Sequence, residues 1–209
     1  EVEKGEIYLH NKSGARKASG SYYTKSFAVD HLLDNSLEPA IDEHLERVKV
    51  TLKTSPDNAV QQLFEFYVAD IAMGSGHFLI SAIDRIEKRF LLFLADHPLP
   101  GLDAELEKLR DAARRKLGET ADERWLERNK LLRRLIARRC IYGVDLNPLA
   151  VELARLSVWI HTVVPGLPLS FLDHNLVCGN SLVGIGTLDE VKKEFLEEND
   201  QFGLFDDIV

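Results

Sequence analysis

Residues 68–79, VADIAMGSGHFL, constrain the fold of this 209-residue chain more than any other segment. The residues that lead into this segment are apolar and aromatic: Phe64, Phe66, Tyr67 and Val68. Such a run predicts a buried strand, and the apolar spacing of residues 78–94 predicts a helix. Gly74 and Gly76 would form the tight turn between them. The segment is therefore predicted to be the first strand–turn–helix unit of a nucleotide-binding type of α/β fold.

The turn of this unit has the composition of a ligand-binding loop. Glycines allow the backbone to approach a ligand, and the free N–H groups at the start of the helix point to the same place. Asp70, at the end of the strand, adds a fixed negative charge, and no run of basic residues accompanies it. A cationic, amine-bearing ligand such as S-adenosylmethionine therefore fits better than an anionic pyrophosphate. The alternative is a tight turn whose glycines serve packing alone.

A second predicted strand also ends in an acid. Residues 140–145, CIYGVD, form a short apolar run, and Asn147 and Pro148 suit the cap and the first position of the helix that follows. Asp145 is then expected at the edge of a parallel sheet beside the first strand, where such an acid hydrogen-bonds ribose hydroxyls. The alternative role for Asp145 is that of a turn or helix-capping residue.

A third candidate strand end lies at residues 175–182, NLVCGNSL. Asn180 carries both a hydrogen-bond donor and an acceptor, so its side chain can recognise the edge of an adenine ring. A plain turn at this position is the alternative.

Four segments in a fixed order carry a family resemblance. They are Gly20-Ser21-Tyr22-Tyr23-Thr24, residues 70–78, residues 143–150 and Cys178-Gly179-Asn180-Ser181-Leu182. In that order they resemble the Gly-x-Tyr-Tyr-Thr-Pro segment, the Asp-Pro-Ala-Cys-Gly-Ser-Gly-x-Phe loop, the acidic ribose motif and the adenine-side motif of N6-adenine DNA methyltransferases. These enzymes belong to restriction–modification and related phage-defence systems. The resemblance spans residues 18–184, and four ordered motifs are more specific than any one of them.

The resemblance implies a Rossmann-like, S-adenosylmethionine-dependent methyltransferase fold of the α/β class, with a central and mainly parallel sheet. It implies that the cofactor S-adenosylmethionine is bound by Tyr22, Tyr23, Thr24, Asp70, Ala72, Gly74, Ser75, Gly76, His77, Phe78, Asp145, Leu146, Asn180, Ser181 and Leu182. In this arrangement the Tyr-Tyr-Thr segment closes the methionine end of the cofactor. Asp70 lies near its amino group, Asp145 holds the ribose hydroxyls and Asn180 faces the adenine.

The predicted organisation has two parts. Residues 1–60 form an N-terminal helical segment that carries the Tyr-Tyr-Thr motif, and residues 61–209 form the α/β core. One face of the first long helix, within residues 27–50, is apolar: Leu32, Leu33, Leu37, Ile41, Leu45 and Val48. Residues 97–139 are predicted as a helical insertion after the first strand–helix unit, folded as a hairpin against the sheet edge.

Departures from the family pattern shape the functional prediction. Lys25 and Ile71 stand where the family has proline, and Met73 stands where it has cysteine. The chemistry does not require the side chain of any of these three family residues. The Asn-Pro-Pro-Tyr tetrad, which in the family accepts the target amine and stacks on the flipped base, is absent from the sequence. We therefore predict no catalytic residue in this chain. It is expected to be the cofactor-binding part of a longer enzyme and inactive in methyl transfer by itself.

Charge and composition limit the kinds of partner that this chain is expected to have. The net charge of −8 gives this chain little attraction for duplex DNA, so DNA contacts are expected from a target-recognition domain outside it. The sequence contains no signal peptide and no apolar run long enough to span a membrane, which favours the cytoplasm and no membrane partner. Cys140 and Cys178 are predicted to be buried free thiols, and no spacing of His or Cys indicates a metal site.

Three other function classes remain open. A methyltransferase for protein, RNA or a small molecule would share the glycine loop and the ribose acid. A non-catalytic module that binds the cofactor would account for the absent tetrad. A dinucleotide oxidoreductase is the least favoured, because the loop lacks the three-glycine phosphate fingerprint.

Overall fold

The computed structural model describes residues 24–118, 122–168 and 172–182. Tyr22 and Tyr23 lie outside the described residues, and Thr24 is the first residue within them. By its contacts the chain divides into two units, Glu1–Gly179 and Asn180–Val209. The first unit contains every helix and strand described below.

The described elements form a mixed α/β fold in which helices precede the first strand and connect the strands. In chain order they are α1 Ser26–Thr54, a 3-10 turn Pro56–Asn58, α2 Ala59–Phe64, β1 Val68–Asp70, α3 His77–Asp96, α4 Pro100–Leu117, a 3-10 turn Glu123–Trp125, α5 Arg128–Arg139, β2 Ile141–Asp145, α6 Pro148–Thr162, α7 Leu172–Asn175 and β3 Leu176–Cys178. The helices predicted at residues 27–50 and 78–94 are present as α1 and α3.

The three strands form a parallel sheet in the order β1-β2-β3. Val68 pairs with Ile141 and Asp70 with Gly143, while Asp145 pairs with Cys178. The carboxyl ends of all three strands therefore meet at one edge of the sheet. This edge is where ligands bind in open parallel α/β sheets.

The first strand is shorter than predicted. Phe64 is the last residue of α2, and Phe66 and Tyr67 lie in the loop before β1. Phe66 is nevertheless buried, with its ring 5.0 Å from that of His44. An apolar run can thus be buried at a helix end and in a loop. The prediction that the strand begins near Phe64 was therefore wrong, since β1 begins at Val68.

Helix α1 is fixed to α3 by apolar and ionic contacts. Its buried face contains Val29, Leu33, Leu37, Ile41, His44, Leu45 and Val48. Leu32, which we predicted on this face, is half exposed instead. Four acids at four-residue spacing, Asp30, Asp34, Glu38 and Asp42, pair with Arg85 and Arg89 of α3. These pairs join two helices across a partly exposed seam, where a network contributes more than an isolated surface pair.

Helix α5, within the predicted insertion, is part of the core rather than an appendage of it. Leu131, Leu132, Leu135 and Ile136 are buried, and α5 packs on α3, α4, α6 and β2. Arg133 links α5 to α3 through Glu87, with Nε and Oε2 2.5 Å apart. In the part of the chain that the structure describes, no helix combines the length and apolarity needed to cross a membrane.

Candidate functional site

Two carboxylates lie at the carboxyl edge of the sheet. Asp70 ends β1 and Asp145 ends β2, and each side chain is half-buried. Because β1 and β2 are adjacent and parallel, the two acids point into the same region. The structure thus brings together the two acids that the sequence placed at neighbouring strand ends.

The loop after β1 is tied to β2 by hydrogen bonds. The Gly74 N–H donates to Oδ2 of Asp145 at 2.9 Å, and the Met73 N–H donates to the Val144 carbonyl at 3.1 Å. The Ala72 N–H donates to Oδ1 of Asp70 at 3.1 Å. These bonds hold the loop across both strand ends, and the space that the loop and the two acids border is here named the cleft.

The two loop glycines have different roles. Both have a left-handed backbone, with φ of +54° at Gly74 and +84° at Gly76. A Cβ at Gly76 would lie 3.3 Å from Cα and Cβ of Ala154 in α6, whereas a Cβ at Gly74 would meet no atom within 4 Å. Gly76 therefore permits close packing of the loop on α6, whereas the Cβ position of Gly74 is open.

Asp70 is held in an unfavourable setting for a charge. Burial raises the pKa of its carboxyl, and the neighbouring Asp145 raises it further, while the Ala72 N–H opposes both effects. An acid with this pattern is stabilised in its ionised form when a cation binds beside it. The cleft is therefore electrostatically suited to a positively charged ligand.

Asp145 has structural bonds on both of its oxygens. Besides the Gly74 contact, Oδ1 accepts the Asn147 N–H at 2.8 Å, and Oδ1 of Asn147 in turn accepts the Leu149 N–H at the start of α6. The predicted cap at Asn147 is confirmed. Each carboxylate oxygen has a second lone pair, so Asp145 keeps acceptor capacity for a ligand while it supports the turn.

Apolar side chains and a thiol border the same edge. Leu146 is 70% exposed and Ile71 is 60% exposed, each directly after one of the two acids. The Cys178 thiol donates to the Leu146 carbonyl at 3.6 Å and is exposed. The prediction that both cysteines are buried was thus wrong for Cys178, because β3 is an edge strand of the described sheet. Cys140 is buried as predicted, and this burial raises its thiol pKa to about 12.

Cys178 and Ile71 lie within predicted motif segments, but neither was among the predicted cofactor-binding residues. Ile71 follows β1 and Cys178 ends β3, and both strands pair with β2, which ends in Asp145, so strand position was the available signal. Cys178 was predicted as part of the adenine-side motif without a binding role, and it ends β3 on the same edge as the acids. The structure therefore adds two side chains to the predicted site.

The remaining predicted site residues are placed as follows. Ala72 and Ser75 are exposed in the loop, and His77 and Phe78 are half-buried at the start of α3. Thr24 is half-buried just before α1. Asn180, Ser181 and Leu182 belong to the second unit, where Oδ1 of Asn180 accepts the Leu182 N–H at 2.9 Å. That local bond has the form of an Asx turn, and the adenine-facing role of Asn180 stays a prediction.

A separate cleft of about 700 Å³ opens at the other end of the strands. Tyr67, Tyr142, Glu105 and Arg139 are among its lining residues, and they lie near the amino ends of β1 and β2. It shares no residue with the glycine loop. Among the described residues no cluster of His, Cys, Asp and Glu is arranged to hold a metal ion.

Comparison with known proteins gives one informative similarity. The chain is 26% identical over 204 aligned positions to the "Putative type II restriction enzyme and methyltransferase RM.MjaORFECS2P" of Methanocaldococcus jannaschii. The match covers 81% of this chain and 15% of that relative, so the chain spans a small part of the relative's length. No family model matches the chain, and no solved structure matches it significantly. The similarity supports a relationship to the methyltransferases of restriction–modification systems.

Proposed function

We propose that this chain is the S-adenosylmethionine-binding part of a cytoplasmic DNA adenine-N6 methyltransferase of a restriction–modification system. The fold in this proposal is the Rossmann-like methyltransferase fold, with residues 1–60 as the closing segment and residues 61–209 as the core. The similarity to the Methanocaldococcus protein supports the methyltransferase class. The adenine-N6 specificity rests on the motif resemblance alone.

The observation that carries the proposal is the hydrogen bond from Gly74 to Asp145. It fastens the glycine loop that follows β1 to the acidic end of β2, so that the loop and both acids border the same space. A dinucleotide pyrophosphate would bring negative charge against Asp70 and Asp145, which disfavours that ligand class. A ligand with a sulfonium and an amino group brings positive charge to the same place.

The residues present fit S-adenosylmethionine. Gly74 leaves open space where a Cβ would otherwise stand, and Asp70 offers a half-buried carboxylate for an amino group. Asp145 retains a lone pair on each oxygen for ribose hydroxyls, and the exposed Leu146 offers an apolar surface for a purine ring. Each group matches one part of the cofactor.

In the proposed mechanism this chain positions the cofactor and leaves the target amine to other residues. The bound cofactor supplies an activated methyl group on a good leaving group, so alignment accounts for most of the catalysis. Asp70 would hold the amino group of the cofactor and Asp145 its ribose. Two anchoring points together limit the rotation of the cofactor in the cleft. Because the Asn-Pro-Pro-Tyr tetrad is absent from the sequence, the chain alone would bind the cofactor without transferring the methyl group. Duplex DNA would be contacted through a target-recognition domain of the longer enzyme.

Alkylation of Cys178 tests where the cofactor binds. The thiol is exposed beside Leu146, so we expect saturating S-adenosylmethionine or S-adenosylhomocysteine to slow its reaction with N-ethylmaleimide by about tenfold, as burial of an accessible thiol does. NAD is expected to leave the rate unchanged. Peptide mass spectrometry over time measures the modification at each cysteine.

The chain contains its own control for that experiment. Cys140 is buried and its pKa is raised to about 12, so it should stay unmodified in the folded protein with or without ligand. Modification of Cys140 would report unfolding rather than loss of ligand. Protection of Cys178 by NAD and not by S-adenosylmethionine would contradict the proposed ligand class, and protection by neither would contradict this cleft as the binding site.

Substitution of Asp70 tests the electrostatic part of the proposal. In Asp70→Asn the amide oxygen can still accept the Ala72 N–H, while the charge is removed. We expect S-adenosylmethionine to bind about tenfold more weakly, the effect of one charge-assisted hydrogen bond of about 1.5 kcal/mol. Isothermal titration calorimetry measures the affinity, and equal affinity for the variant and the wild type would exclude Asp70 as a ligand-binding residue.

The same substitution has a distinct signature in stability and pH dependence. The folded-state pKa of Asp70 is raised, so ionisation costs folding free energy as the pH rises through that pKa. Asp70→Asn should therefore leave the melting temperature at neutral pH unchanged or higher. The wild-type affinity for S-adenosylmethionine should fall as the pH drops through the raised pKa, whereas the variant should show no such fall.

A further inference from the structure

Helix α1 runs parallel to α3. Four carboxylates along α1 form ion pairs with two guanidinium groups of α3: Asp30, Asp34 and Glu38 with Arg85, and Glu38 and Asp42 with Arg89. Residues that come later in α1 therefore meet residues that come later in α3. Because α3 begins directly after the glycine loop, the first turn of α1 lies at the same end of α3 as the cleft.

Phe27, in the first turn of α1, lies on the face of that helix that is turned to α3. At about 100° per residue it falls at the centre of the arc of the four acids, within about 60° of each. Phe27 precedes Asp34 by seven residues, and Phe78 precedes Arg85 by the same number. At a rise of about 1.5 Å per residue, Phe27 is therefore level with Phe78, about 10 Å closer to the glycine loop than the ion pair.

The position of α1 beside α3 places Phe27 on the Asp70 side of the cleft. Arg85 faces α1, whereas Asp84, about 100° round α3, faces α6, where its Oδ1 lies 2.7 Å from Nε2 of His161. Helix α6 packs on β2 and β3. Since α1 and α6 lie on different flanks of α3, α1 lies on the flank nearer to β1, the strand that ends in Asp70.

The phenyl ring of Phe27 is not buried by the described fold. The residue is 71% exposed. Single exposed apolar residues are common on protein surfaces, so exposure alone marks no site. The direction of the side chain distinguishes Phe27, because helical side chains lean toward the amino end of their helix, which for α1 is the cleft end. The ring therefore extends toward the end of the fold where the glycine loop and Asp70 lie.

We propose that Phe27 is a further cofactor-binding residue, whose ring packs against the methyl sulfonium of S-adenosylmethionine. This inference rests on the proposed function, in which Asp70 holds the amino group of the cofactor. The sulfonium is then the cationic centre that still needs a partner on this side of the cleft, and the face of an aromatic ring attracts a cation. S-adenosylhomocysteine has an uncharged thioether at the same place. Phe27 should therefore favour the methyl-carrying cofactor over the product of methyl transfer.

Isothermal titration calorimetry with both ligands tests the contact between ring and sulfonium. Phe27→Leu keeps an apolar side chain without a π face, and Phe27→Tyr keeps the π face. We expect Phe27→Leu to bind S-adenosylmethionine about fivefold more weakly and S-adenosylhomocysteine less than about twofold more weakly. Phe27→Tyr should keep the wild-type preference. An unchanged preference in Phe27→Leu, or an equal loss for both ligands, overturns the inference and leaves the proposed function standing. A folded wild type that binds neither ligand overturns both.

Alkylation of an introduced thiol tests the position of Phe27 separately. In a Cys178→Ser background, saturating S-adenosylmethionine should slow the reaction of Phe27→Cys with N-ethylmaleimide by about tenfold. Val50→Cys is the matched control, because Val50 is 60% exposed on the same helix and lies about 35 Å from Phe27 along its axis. The rate at Val50→Cys should not change. Equal rates at Phe27→Cys with and without the cofactor, in a variant that still binds it by calorimetry, overturn the placement of Phe27 at the bound cofactor.

Discussion

Replacement of Asp145 by alanine is expected to abolish S-adenosylmethionine binding and to lower the free energy of unfolding by about 3 kcal/mol. The carboxylate accepts the N–H groups of Gly74 and Asn147, and hydrogen bonds to a charged group contribute about 1.5–3 kcal/mol each. Its loss frees the glycine loop from β2 and also removes the proposed ribose acceptor. Titration calorimetry with S-adenosylmethionine, S-adenosylhomocysteine and NAD, beside chemical denaturation, measures both effects.

Asp145→Asn separates the two roles of this residue. The amide can accept one of the two backbone N–H groups, so about half of the lost stability should return. The NH₂ group cannot accept a ribose hydroxyl, and the affinity for S-adenosylmethionine should stay at least about tenfold below that of the wild type. A folded Asp145→Asn variant that binds the cofactor as the wild type does would show that Asp145 serves only to cap the turn.

Alanine at the two loop glycines should damage different properties. Gly76→Ala is expected to cost about 3 kcal/mol of stability, because a left-handed residue with a Cβ costs about 1 kcal/mol and overpacking against Ala154 adds about 2 kcal/mol. Gly74→Ala carries only the backbone cost of about 1 kcal/mol, since its Cβ would meet open space. In the proposed binding mode the cofactor occupies that open space, so Gly74→Ala should weaken cofactor binding far more than it lowers stability.

Comparison of Gly74→Ala with Gly76→Ala separates the effect on binding from the effect on stability. Denaturant midpoints report the stability of each variant, and calorimetry below the unfolding transition reports the affinity. Equal losses of stability at both glycines would contradict the packing of Gly76 on Ala154. An unchanged affinity in Gly74→Ala would show that the ligand does not approach the loop at that residue.

The local sequence pattern predicted the helices whose periodicity or capping residues are visible within a few neighbouring residues. The period of apolar residues gave α3, and the Asn147–Pro148 pair gave the start of α6, where the Asn147 side chain caps the helix. These features depend on neighbours in sequence. The parallel pairing of β1 with β2 also followed, because both strands are followed by helices.

Features that depend on distant neighbours could not be predicted in the same way. Phe66 is buried against His44 of α1, so its burial required no strand. Cys178 is exposed because β3 ends the described sheet, and the sequence of β3 alone does not show what lies beside it. The bond between Gly74 and Asp145 joins residues 71 positions apart, which no local pattern encodes.

The same long-range bond determines when the cleft can form during synthesis. The chain emerges from the ribosome amino end first, so β1 and the glycine loop are complete before the helices of residues 100–139 and before β2 exist. The loop lacks its acceptor throughout that interval. Its final shape arises only after Asp145 has been made and β2 has paired with β1, which makes assembly of the cleft a late event in the folding of this unit.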